Sequence, residues 1–371
     1  MKDIVVIGAG KIGSTIAGML AESGDYRVTI ADRDQSQLDQ LHLDPVVSRA
    51  RFDAEDASHL PRLLAGKFAV LSAAPFQLTT RIADAALSAS THYLDLTEDV
   101  ASTRHVTTLA ADSKRAFIPQ CGLAPGFITI VAHDMARRFD SLHELKMRVG
   151  ALPQFPSNAL NYNLTWSTDG VINEYCEPCE AIVNGELREV PPLEEREEFA
   201  LDGVTYEAFN TSGGLGSLCD TLKGKVDNLN YKTIRYPGHA AIMKALLQDL
   251  RLRERRHILK DILENALPTT LQDVVIVFVA ATGMREGRLT QETYANKIYS
   301  RHRGKSHLGA IQLTTAAGIS AVLDLLAGGQ LPGKGLVRQE DVPLEVFLAN
   351  RFGRVYAQAG AAGAGADARA A

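Results

Sequence analysis

The feature that most constrains the fold is a glycine-rich turn between a short apolar strand and a helical pattern near the start of the chain. Residues 3–7 are mostly apolar, the segment G-x-G-x-x-G follows at once, and the helical pattern begins within it. The first glycine permits a tight turn, the second lets backbone approach a pyrophosphate, and the third lets helix and strand pack closely. The helix N-terminus then faces the phosphate charge. The predicted dinucleotide-binding turn is Gly8, Ala9, Gly10, Lys11, Ile12 and Gly13.

A carboxylate lies where the second predicted strand, RVTIAD, ends. Asp32 stands 24 residues after Gly8. From that position it can accept hydrogen bonds from the adenosine ribose, and its charge repels the additional phosphate of NADP. Arg33, the next residue, is able to pair with such a phosphate. We therefore expect NAD as the cofactor, with NADP less favoured.

Strand and helix patterns alternate through the first third of the chain. Further strands are predicted at 68–73, 92–96 and 116–120, with helices around 78–89 and 100–113 between them. This alternation is typical of a doubly wound parallel sheet with helices on both faces. The expected fold class is α/β, with a Rossmann domain over 1–122.

From about residue 140 the strand patterns become longer and fewer helices separate them, which favours a mixed sheet in an α+β catalytic domain over 123–355. The apolar helix expected at 308–328 is predicted to pack back on the first domain, and the Ala/Gly-rich tail 356–371 to be disordered. The predicted strands of the second domain are 144–152, 161–167, 228–236, 273–281 and 293–300.

Composition excludes several classes of protein. With 39 basic and 44 acidic residues the net charge is -5, so we expect no nucleic-acid partner. Gln312 and Asp324 interrupt the most apolar later stretch, which argues against a membrane span. Four cysteines are too few for a disulfide framework and favour a cytoplasmic location. Cys176 and Cys179 form a C-x-x-C without a second Cys/His pair at a usual spacing, so no metal site is expected.

Ligands of open α/β sheets lie beyond the carboxyl ends of the strands, so residues after the predicted strands should line the site. Small residues after the strand at 68–73 leave room for a nicotinamide ring. Asp95 fits a site role and an ordinary helix cap or surface ion pair equally well. The residues expected at this rim are Ser72, Ala73, Ala74, Pro75, Asp95, Cys121 and Gly122.

The chain resembles the saccharopine dehydrogenase-like family and, within it, the lysine 6-dehydrogenases. The resemblance implies a Rossmann domain, a larger catalytic domain, a homodimer, and NAD-linked oxidation of the ε-carbon of L-lysine to allysine and ammonia. Asn210 and Pro237 stand where it leads us to expect histidine and arginine. The segments that carry it are VVIGAGKIG (5–13), CGLAPGF (121–127), TWSTDGVINEY (165–175), YEAFNTSGG (206–214) and NYKTIRYPGH (230–239).

Segment 228–239 combines cationic and phenolic residues at the end of a strand pattern. An amino-acid substrate brings a carboxylate, which arginine binds in bidentate fashion, so Arg235 is the predicted clamp. The alternative for Arg235 is an ion pair with an acidic residue of 186–198. His239 is the first candidate for the general base that deprotonates the amine. Lys232 could act instead if Arg235 depressed its pKa.

Four other residues complete the predicted substrate site. Thr211 and Ser212 precede two glycines and are expected to donate hydrogen bonds from a flexible loop, although a plain turn fits as well. Trp166 and Tyr175 are expected to form pocket walls. A reductase joining an amine to an aldehyde, as with saccharopine or a polyamine such as carboxynorspermidine, remains an alternative, and so does a nucleotide-binding protein without turnover.

Overall fold

The computed structural model describes residues 1–52, 56, 58–303 and 306–358. Within these residues the chain forms a seven-stranded sheet, a larger eight-stranded sheet and one small hairpin. The first sheet is parallel throughout and the second is mixed. The α/β fold class with a Rossmann-type sheet and a second mixed-sheet domain is thereby confirmed.

The strands in chain order are β1 (Lys2–Ile7), β2 (Tyr26–Asp32), β3 (Ser48–Arg51), β4 (Ala69–Ser72), β5 (His92–Asp95), β6 (Ala116–Ile118), β7 (Ser141–Pro153), β8 (Cys179–Val183), β9 (Glu186–Val190), β10 (Glu197–Leu201), β11 (Val204–Asn210), β12 (Val226–Arg235), β13 (Asp273–Arg285), β14 (Arg288–Tyr299), β15 (Arg301–Arg303), β16 (Ser306–Leu308) and β17 (Gly335–Leu336). The helices are α1 (Lys11–Glu22), α2 (Gln35–Asp39), α3 (His59–Leu64), α4 (Thr79–Ser88), α5 (Val100–Asp112), α6 (Phe127–Ala136), α7 (Thr168–Cys176), α8 (Leu218–Leu222), α9 (His239–Lys244), α10 (Arg256–Ala266), α11 (Ala310–Ala327) and α12 (Leu344–Ala349).

The first sheet has the strand order β17-β6-β5-β4-β1-β2-β3. Its central strands are buried on both faces, because helices cover each side. Residues Ile4 to Ile7 and Ala69 to Leu71 are inaccessible to solvent. Continuous apolar runs of this kind are expected in a parallel sheet covered on both sides. The order reverses at β1 and β4, and a crevice opens there beyond the carboxyl ends of the strands.

The second sheet runs β10-β11-β12-β7-β13-β14, with β8 paired to β12 and β9 to β8. Only the β12–β7 pairing is parallel, and the remaining pairings are antiparallel. Strands were predicted correctly at β7, β12, β13 and β14, although β7, β13 and β14 are longer than expected.

The strand predicted at 161–167 does not form. Only Leu164 makes a bridge, to Thr269. The side chain of Asn158 donates to the carbonyl oxygen of Tyr162 at 2.7 Å, so a local side-chain bond takes the place of a ladder bond. Residues 162–165 are all buried, which differs from the alternation of a half-buried strand.

The helix predicted at 308–328 is α11, and it links the two domains. Its first turn is held by Asp273 of β13, which accepts from the backbone N–H of Ile311 at 3.0 Å and also from that of Ala310. Its last turn meets the first domain, where the Tyr26 hydroxyl donates to Asp324 at 2.6 Å. By length and composition α11 would be able to cross a membrane, but 78% of it is buried inside the protein, as in a core helix.

The first sheet is assembled from two distant parts of the chain. β17 follows α11 and pairs in parallel with β6, so a segment outside 1–122 completes the sheet edge. A two-residue strand has no periodicity to reveal it in a sequence. Tyr356 is fully buried and donates to the carbonyl oxygen of Thr314 at 2.7 Å, so the chain is packed at the first position of the predicted tail. Gln358 also donates to the carbonyl oxygen of Ala295 at 2.9 Å, and only 359–371 of the predicted tail lies outside the described residues.

Candidate active site

A cleft of about 560 Å³ lies between the two domains. One wall is formed by the carboxyl ends of β1, β2, β4 and β5, and the other by β7, β12 and α7. The predicted residues that line it are Gly8, Gly10, Ile12, Asp32, Arg33, Ser72, Ala73, Ala74, Pro75, Asp95, Gly122, Trp166 and Arg235. The cleft therefore brings together predicted residues from both domains, with several exceptions described below.

The glycine turn has the shape of a phosphate cradle. Gly8 has a φ of +104°, and a Cβ there would lie 2.6 Å from the carbonyl oxygen of Ala73. A Cβ on Gly13 would lie 1.8 Å from the carbonyl oxygen of Gly8, so this glycine lets α1 pack against the turn and does not itself line the cleft. A Cβ on Gly10 would meet nothing within 4 Å. The open space at Gly10, at the N-terminus of α1, fits a dinucleotide pyrophosphate.

The carboxylate of Asp32 is anchored to the same turn. One oxygen accepts from the backbone N–H of Ala9 at 2.7 Å and the other from that of Asp34 at 3.0 Å. Ala9 therefore holds Asp32 in place without lining the cleft. Lys11 is exposed and does not line the cleft either. Arg33 lines the cleft beside Asp32, and the Nε of Arg51 donates to the carbonyl oxygen of Arg33 at 3.3 Å. The side chain of Arg51 therefore lies against the backbone of Arg33, and both residues line a pocket together with Asp34.

Strand β12 presents alternate residues to the two sides of the second sheet. Tyr231, Thr233 and Arg235 line the cleft, as expected for a period of two. Lys232 lies on the opposite face, where its Nζ donates to the carbonyl oxygen of Glu195 at 2.6 Å and to Glu197 at 3.2 Å. The prediction of Lys232 as a catalytic base is wrong, because the strand geometry turns its amine away from the cleft.

Arg235 is 2% exposed, and its bonds within the protein go to neutral groups. Its Nε donates to the Tyr175 hydroxyl at 2.9 Å. Its Nη1 donates to the Thr233 hydroxyl at 2.7 Å and to the carbonyl oxygen of Ile234 at 2.8 Å. Within the described part of the chain no carboxylate forms an ion pair with Arg235, so the predicted alternative of a pair with 186–198 is excluded there. The bonds at Nε and Nη1 leave Nη2 for a ligand, which corrects the expected bidentate fork.

His239 does not face the cleft. Its Nε2 lies 3.0 Å from the Tyr175 hydroxyl and its Nδ1 2.8 Å from the carbonyl oxygen of Leu160. Burial, reinforced by the nearby Arg235, lowers the pKa of His239 to about 3. The prediction of His239 as general base is therefore wrong: the ring is enclosed, and both nitrogens have partners. Tyr175 is likewise absent from the cleft wall, standing between His239 and Arg235.

Besides the exposed Asp169, which pairs with Lys260 at 2.6 Å, three carboxyl groups line the substrate side of the cleft, namely Asp95, Glu98 and Glu174. Burial raises the pKa of Glu174 to about 8, and Glu98 adds to this shift while Arg235 opposes it. Burial also raises the pKa of Glu98 to about 7, with smaller contributions from Asp99 and Asp95. Groups poised near neutral pH in a cleft are candidates for proton transfer.

Asp95 also has a raised pKa, about 6, because burial outweighs the hydrogen bonds from Gln120, Tyr93 and Thr97. One oxygen accepts from the backbone N–H groups of Gln120 and Thr97 at 2.8 and 3.1 Å, and the other from the Tyr93 hydroxyl at 2.8 Å. With both oxygens engaged, Asp95 organises the loops that follow β5 and β6. Glu98 and Glu174 make no comparable side-chain bonds within the described residues and are the better candidates for a base.

The sequence missed these two glutamates, although a signal for Glu174 was present. Gly170 and Glu174 are four apart on α7, Trp166 lies two residues before that helix begins, and all three line the cleft. Residues spaced by four share one face of a helix. Nothing comparable identifies Glu98, which lies in the loop between β5 and α5.

The other predicted substrate residues lie close to the cleft without lining it. Cys121 is buried, its Sγ donates to the carbonyl oxygen of Ile118 at 3.1 Å, and burial raises its pKa well above the usual range. The backbone N–H of Ser212 donates to the carbonyl oxygen of Glu174 at 3.1 Å, which ties the loop to α7. Thr211 lines a neighbouring pocket of about 380 Å³ instead.

All four cysteines are buried free thiols. In the described ranges no group of three or more His, Cys, Asp or Glu side chains is arranged to hold a metal ion. The substrate side of the cleft offers one buried cation and the carboxyl groups of Asp95, Glu98, Asp169 and Glu174.

Two family models together match most of the chain. The model described as "Saccharopine dehydrogenase NADP binding domain" matches residues 4–117, and the one described as "Saccharopine dehydrogenase C-terminal domain" matches residues 122–350. Such a pairing fits a nicotinamide dinucleotide cofactor and an oxidoreductase acting on amino acids.

Among curated proteins, the chain is 21% identical over 270 residues to the mitochondrial alpha-aminoadipic semialdehyde synthase of Bos taurus, covering 67% of this chain and 28% of that protein. It is 23% identical over 177 residues to "Saccharopine dehydrogenase [NADP(+), L-glutamate-forming]" of Saccharomyces cerevisiae, covering 46% of this chain and 40% of that protein. The chain thus spans well under half the length of these relatives.

The fold is similar to that of an apo saccharopine dehydrogenase (L-Glu forming) from Saccharomyces cerevisiae. The TM-score is 0.78 at 16% identity, over 94% of this chain and 96% of that one. On the two family models, which cover both domains, the chain belongs to the saccharopine dehydrogenase family.

Proposed function

We propose that this protein catalyses the NAD-linked oxidative deamination of the terminal amine of L-lysine, giving allysine and ammonia. The observation that supports this proposal is the charge of the cleft. Its substrate side carries one cation, Arg235, and three carboxyl groups, Asp95, Glu98 and Glu174, in addition to Asp169, which is already paired with Lys260. A substrate with one carboxylate and two amino groups complements this arrangement, whereas a tricarboxylate such as saccharopine meets three acids and one arginine.

Deprotonation of the substrate is the first chemical requirement. A carbon bearing nitrogen gives up hydride only when that nitrogen has a lone pair, and freeing one from an ammonium of pKa about 10.4 costs roughly 4 to 5 kcal/mol at pH 7. Glu174 and Glu98 line the cleft with raised pKa values, so in their ionised forms they are stronger bases than an ordinary carboxylate. We propose that Glu174 accepts the proton of the substrate ammonium and that Glu98, which lies near Glu174, assists it. Once Glu174 has released that proton to solvent, its carboxylate accepts a proton from the water that attacks the imine, and the carbinolamine so formed collapses to aldehyde and ammonia.

A bound nicotinamide dinucleotide would supply the hydride acceptor. The residues placed to hold the dinucleotide are the turn at Gly8 and Gly10, the small residues Ser72 to Pro75, and Asp32. We propose NAD over NADP because Asp32 presents a carboxylate at the ribose end. Arg33 and Arg51 are the groups through which a 2′-phosphate would be accepted.

Asp32→Ser tests the cofactor assignment. Removing the carboxylate is expected to weaken the binding of NAD and to reduce the preference for NAD over NADP. A hydrogen-bond acceptor for the ribose and a charge that repels the 2′-phosphate are lost together. Fluorescence titrations with NADH and NADPH measure the two dissociation constants. An unchanged ratio would assign cofactor choice to Arg33 and Arg51 instead.

The proposed reaction is tested by following NADH absorbance with NAD and a panel of amines: L-lysine, L-ornithine, cadaverine and L-saccharopine, each repeated with NADP. We expect L-lysine to give the highest kcat/KM and to release ammonia in equal amount to NADH. The rate should climb from pH 7 towards about pH 9, because the neutral fraction of the amine and the ionised fraction of the base both grow. Turnover of saccharopine without turnover of lysine would reject the proposal.

A saccharopine-type dehydrogenase is the second candidate, and one observation favours it. The pocket beside the cleft shares Tyr231 with it and is lined by Arg104 and Arg338, two cations able to meet further carboxylates. Arg104 already pairs with Glu180 at 3.3 Å, which reduces its availability. For this reason lysine remains our first assignment.

We also retain the homodimer and the cytoplasmic location as proposals. Size-exclusion chromatography with light scattering distinguishes one chain of 40.1 kDa from two. Fractionation of the native cells tests the location.

A further inference from the structure

A continuous chain of hydrogen bonds runs behind Arg235. The carbonyl oxygen of Leu160 lies 2.8 Å from the Nδ1 of His239, and the Nε2 of His239 lies 3.0 Å from the Tyr175 hydroxyl. That hydroxyl oxygen accepts from the Nε of Arg235 at 2.9 Å. Tyr175, Arg235 and His239 are each 2% exposed or less. The four groups form one buried relay that ends at the cleft.

The bonding partners fix the direction of every hydrogen in this relay. A carbonyl oxygen only accepts, so Nδ1 of His239 carries the proton and Nε2 is an acceptor. The Tyr175 hydroxyl therefore donates to Nε2, and its oxygen remains free to accept from Arg235. Arginine has only donors, so this is the single arrangement in which all four groups are satisfied.

The relay itself contains no countercharge: Glu174 acts on Arg235 electrostatically, but no carboxylate among the described residues forms an ion pair with it. A buried guanidinium is ordinarily paired with a carboxylate, which would compete with a ligand for it. Here Tyr175, Thr233 and the carbonyl oxygen of Ile234 hold the group in place as neutral acceptors. The rings of Tyr162 and Tyr175 lie 5.2 and 5.8 Å from its central carbon and contribute further neutral contacts. The positive charge of Arg235 is oriented but not neutralised.

We propose that Tyr175 and His239 are positioning residues that hold Arg235 with Nη2 directed to the ligand, and that this neutral relay gives the site its requirement for a substrate carboxylate. The proposal rests on the proposed function only in taking the ligand to be an amino acid. It assigns His239 a role through Tyr175 and Arg235 rather than in proton transfer.

The test is a binding measurement that needs no turnover. L-Norleucine has the carboxylate, α-amine and chain length of lysine but no terminal amine, and n-pentylamine is its decarboxylated counterpart. Isothermal titration calorimetry is run with both ligands on the full-length protein, with and without saturating NAD. Tyr175→Phe removes the hydroxyl and keeps the ring. We expect it to weaken the binding of norleucine roughly tenfold, which is the effect of one lost hydrogen bond to a charged group, and to leave the affinity for pentylamine unchanged.

Tyr236→Phe is the matched control. Tyr236 follows Arg235, and its hydroxyl donates to the carbonyl oxygen of Pro153 at 2.9 Å, so the same chemical change removes one hydrogen bond outside the cleft wall. We expect it to lower the melting temperature without altering norleucine affinity. An equal loss of norleucine affinity in Tyr175→Phe and Tyr236→Phe would overturn the proposal, and so would no loss in Tyr175→Phe.

His239 supplies a second arm in case Tyr175→Phe folds poorly. His239→Gln keeps an amide that can accept from Tyr175, whereas His239→Leu keeps bulk and removes the acceptor. We expect norleucine affinity to fall more in the leucine variant, and equal affinities in the two variants would remove His239 from the relay. If lysine proves not to be oxidised while norleucine still binds in this pattern, the proposed function fails and the relay stands. Failure of norleucine to bind the unaltered protein would reject the relay itself.

Discussion

Arg235 is an unusual residue because a fully buried guanidinium ordinarily has a carboxylate partner. The acidic residues of 186–198 that might have served are engaged elsewhere: Glu197 with Arg148 and Lys232, and Glu194 with Lys244. The charge of Arg235 is therefore available to a ligand that enters the cleft. A ligand carboxylate would restore the missing ion pair.

Arg235→Met keeps most of the side-chain bulk and removes the charge. Because one guanidinium nitrogen remains for the ligand, we expect kcat/KM for L-lysine to fall by about 2 kcal/mol of transition-state stabilisation, the range of one charge-assisted hydrogen bond. Cadaverine has no carboxylate, so it should react poorly with the unaltered enzyme and lose little more in the variant. Steady-state kinetics on both substrates, with NAD affinity as the internal control, measure this. A variant that keeps its preference for lysine over cadaverine would contradict the assignment.

Glu174 links acid–base chemistry to stability. Its pKa is about 8 in the folded protein against a reference value of 4.5, so between these values the folded state holds a proton that the unfolded state has released. Stability conferred by that difference is present below about pH 4.5 and is lost as pH rises through 8. Glu174→Gln cannot ionise and is expected to melt several degrees higher than the unaltered protein at pH 9, with little difference at pH 4.

The same substitution that raises the melting temperature should lower the activity. If Glu174 is the base, Glu174→Gln should lower kcat by at least about a hundredfold, within the usual range for a general base. Thermal melts over a pH series and kinetics at pH 9 on the same preparation check both expectations. A variant that is destabilised at pH 9 and fully active would place the proton transfer at Glu98 or elsewhere.

At the scale of single elements, strand β12 separates two basic residues that stand three positions apart. Arg235 lines the cleft, and Lys232 lies on the other face against Glu195 and Glu197. An odd spacing in a strand always places side chains on opposite faces. We therefore expect substitutions of Arg235 to affect catalysis and substitutions of Lys232 to affect stability.

The matched pair Lys232→Met and Arg235→Met tests this division. Lys232→Met should destabilise the protein by about 1 to 3 kcal/mol, because Glu195 and Glu197 lose a buried partner, while kcat/KM for lysine hardly changes. Urea unfolding curves and kinetics on the two variants give the comparison. A large catalytic loss in Lys232→Met at unchanged stability would mean that the sheet faces are assigned wrongly.

The sequence predicted elements better than it predicted the roles of individual side chains. The glycine turn, Asp32 and the small residues after β4 are local features whose meaning depends only on a strand–turn–helix context. The alternation of β12 was equally visible and would have excluded Lys232. The position of His239 depends on a carbonyl group at Leu160, 79 residues away along the chain, which no local pattern reveals. Burial sets the pKa values of Glu98 and Glu174, and burial is a property of the assembled domains.

At the scale of the whole molecule, the C-terminal part of the chain binds the two domains together. α11 is capped by Asp273 of the second sheet and meets the first domain through Asp324. Asp324 accepts from Tyr26, from Asn350 at 2.8 Å and from Arg351. One helix thus belongs to both cores, and neither domain is complete without it.

Asp324→Ala removes the acceptor shared by these three donors. We expect a loss of about 1 to 3 kcal/mol in the free energy of unfolding and, because α11 couples the domains, a single calorimetric transition in both the variant and the unaltered protein. Asp112→Ala, at an exposed position at the end of α5, is the control and should change little. Two separate transitions in the unaltered protein would show that the domains unfold independently.

The shared helix also has a consequence for synthesis on the ribosome. The strands β1 to β6 emerge first, but the helix that covers α1 and the strand that flanks β6 begin only at Ala310 and Gly335. Protein synthesis adds about 5 to 20 residues per second. Part of the apolar surface of the nascent nucleotide-binding half therefore stays exposed to solvent for roughly 10 to 40 seconds before α11 and β17 are made. Packing of this half is therefore completed only after residues 310–336 have been synthesised, and a chaperone that shields nascent chains would act on this half rather than on the later one.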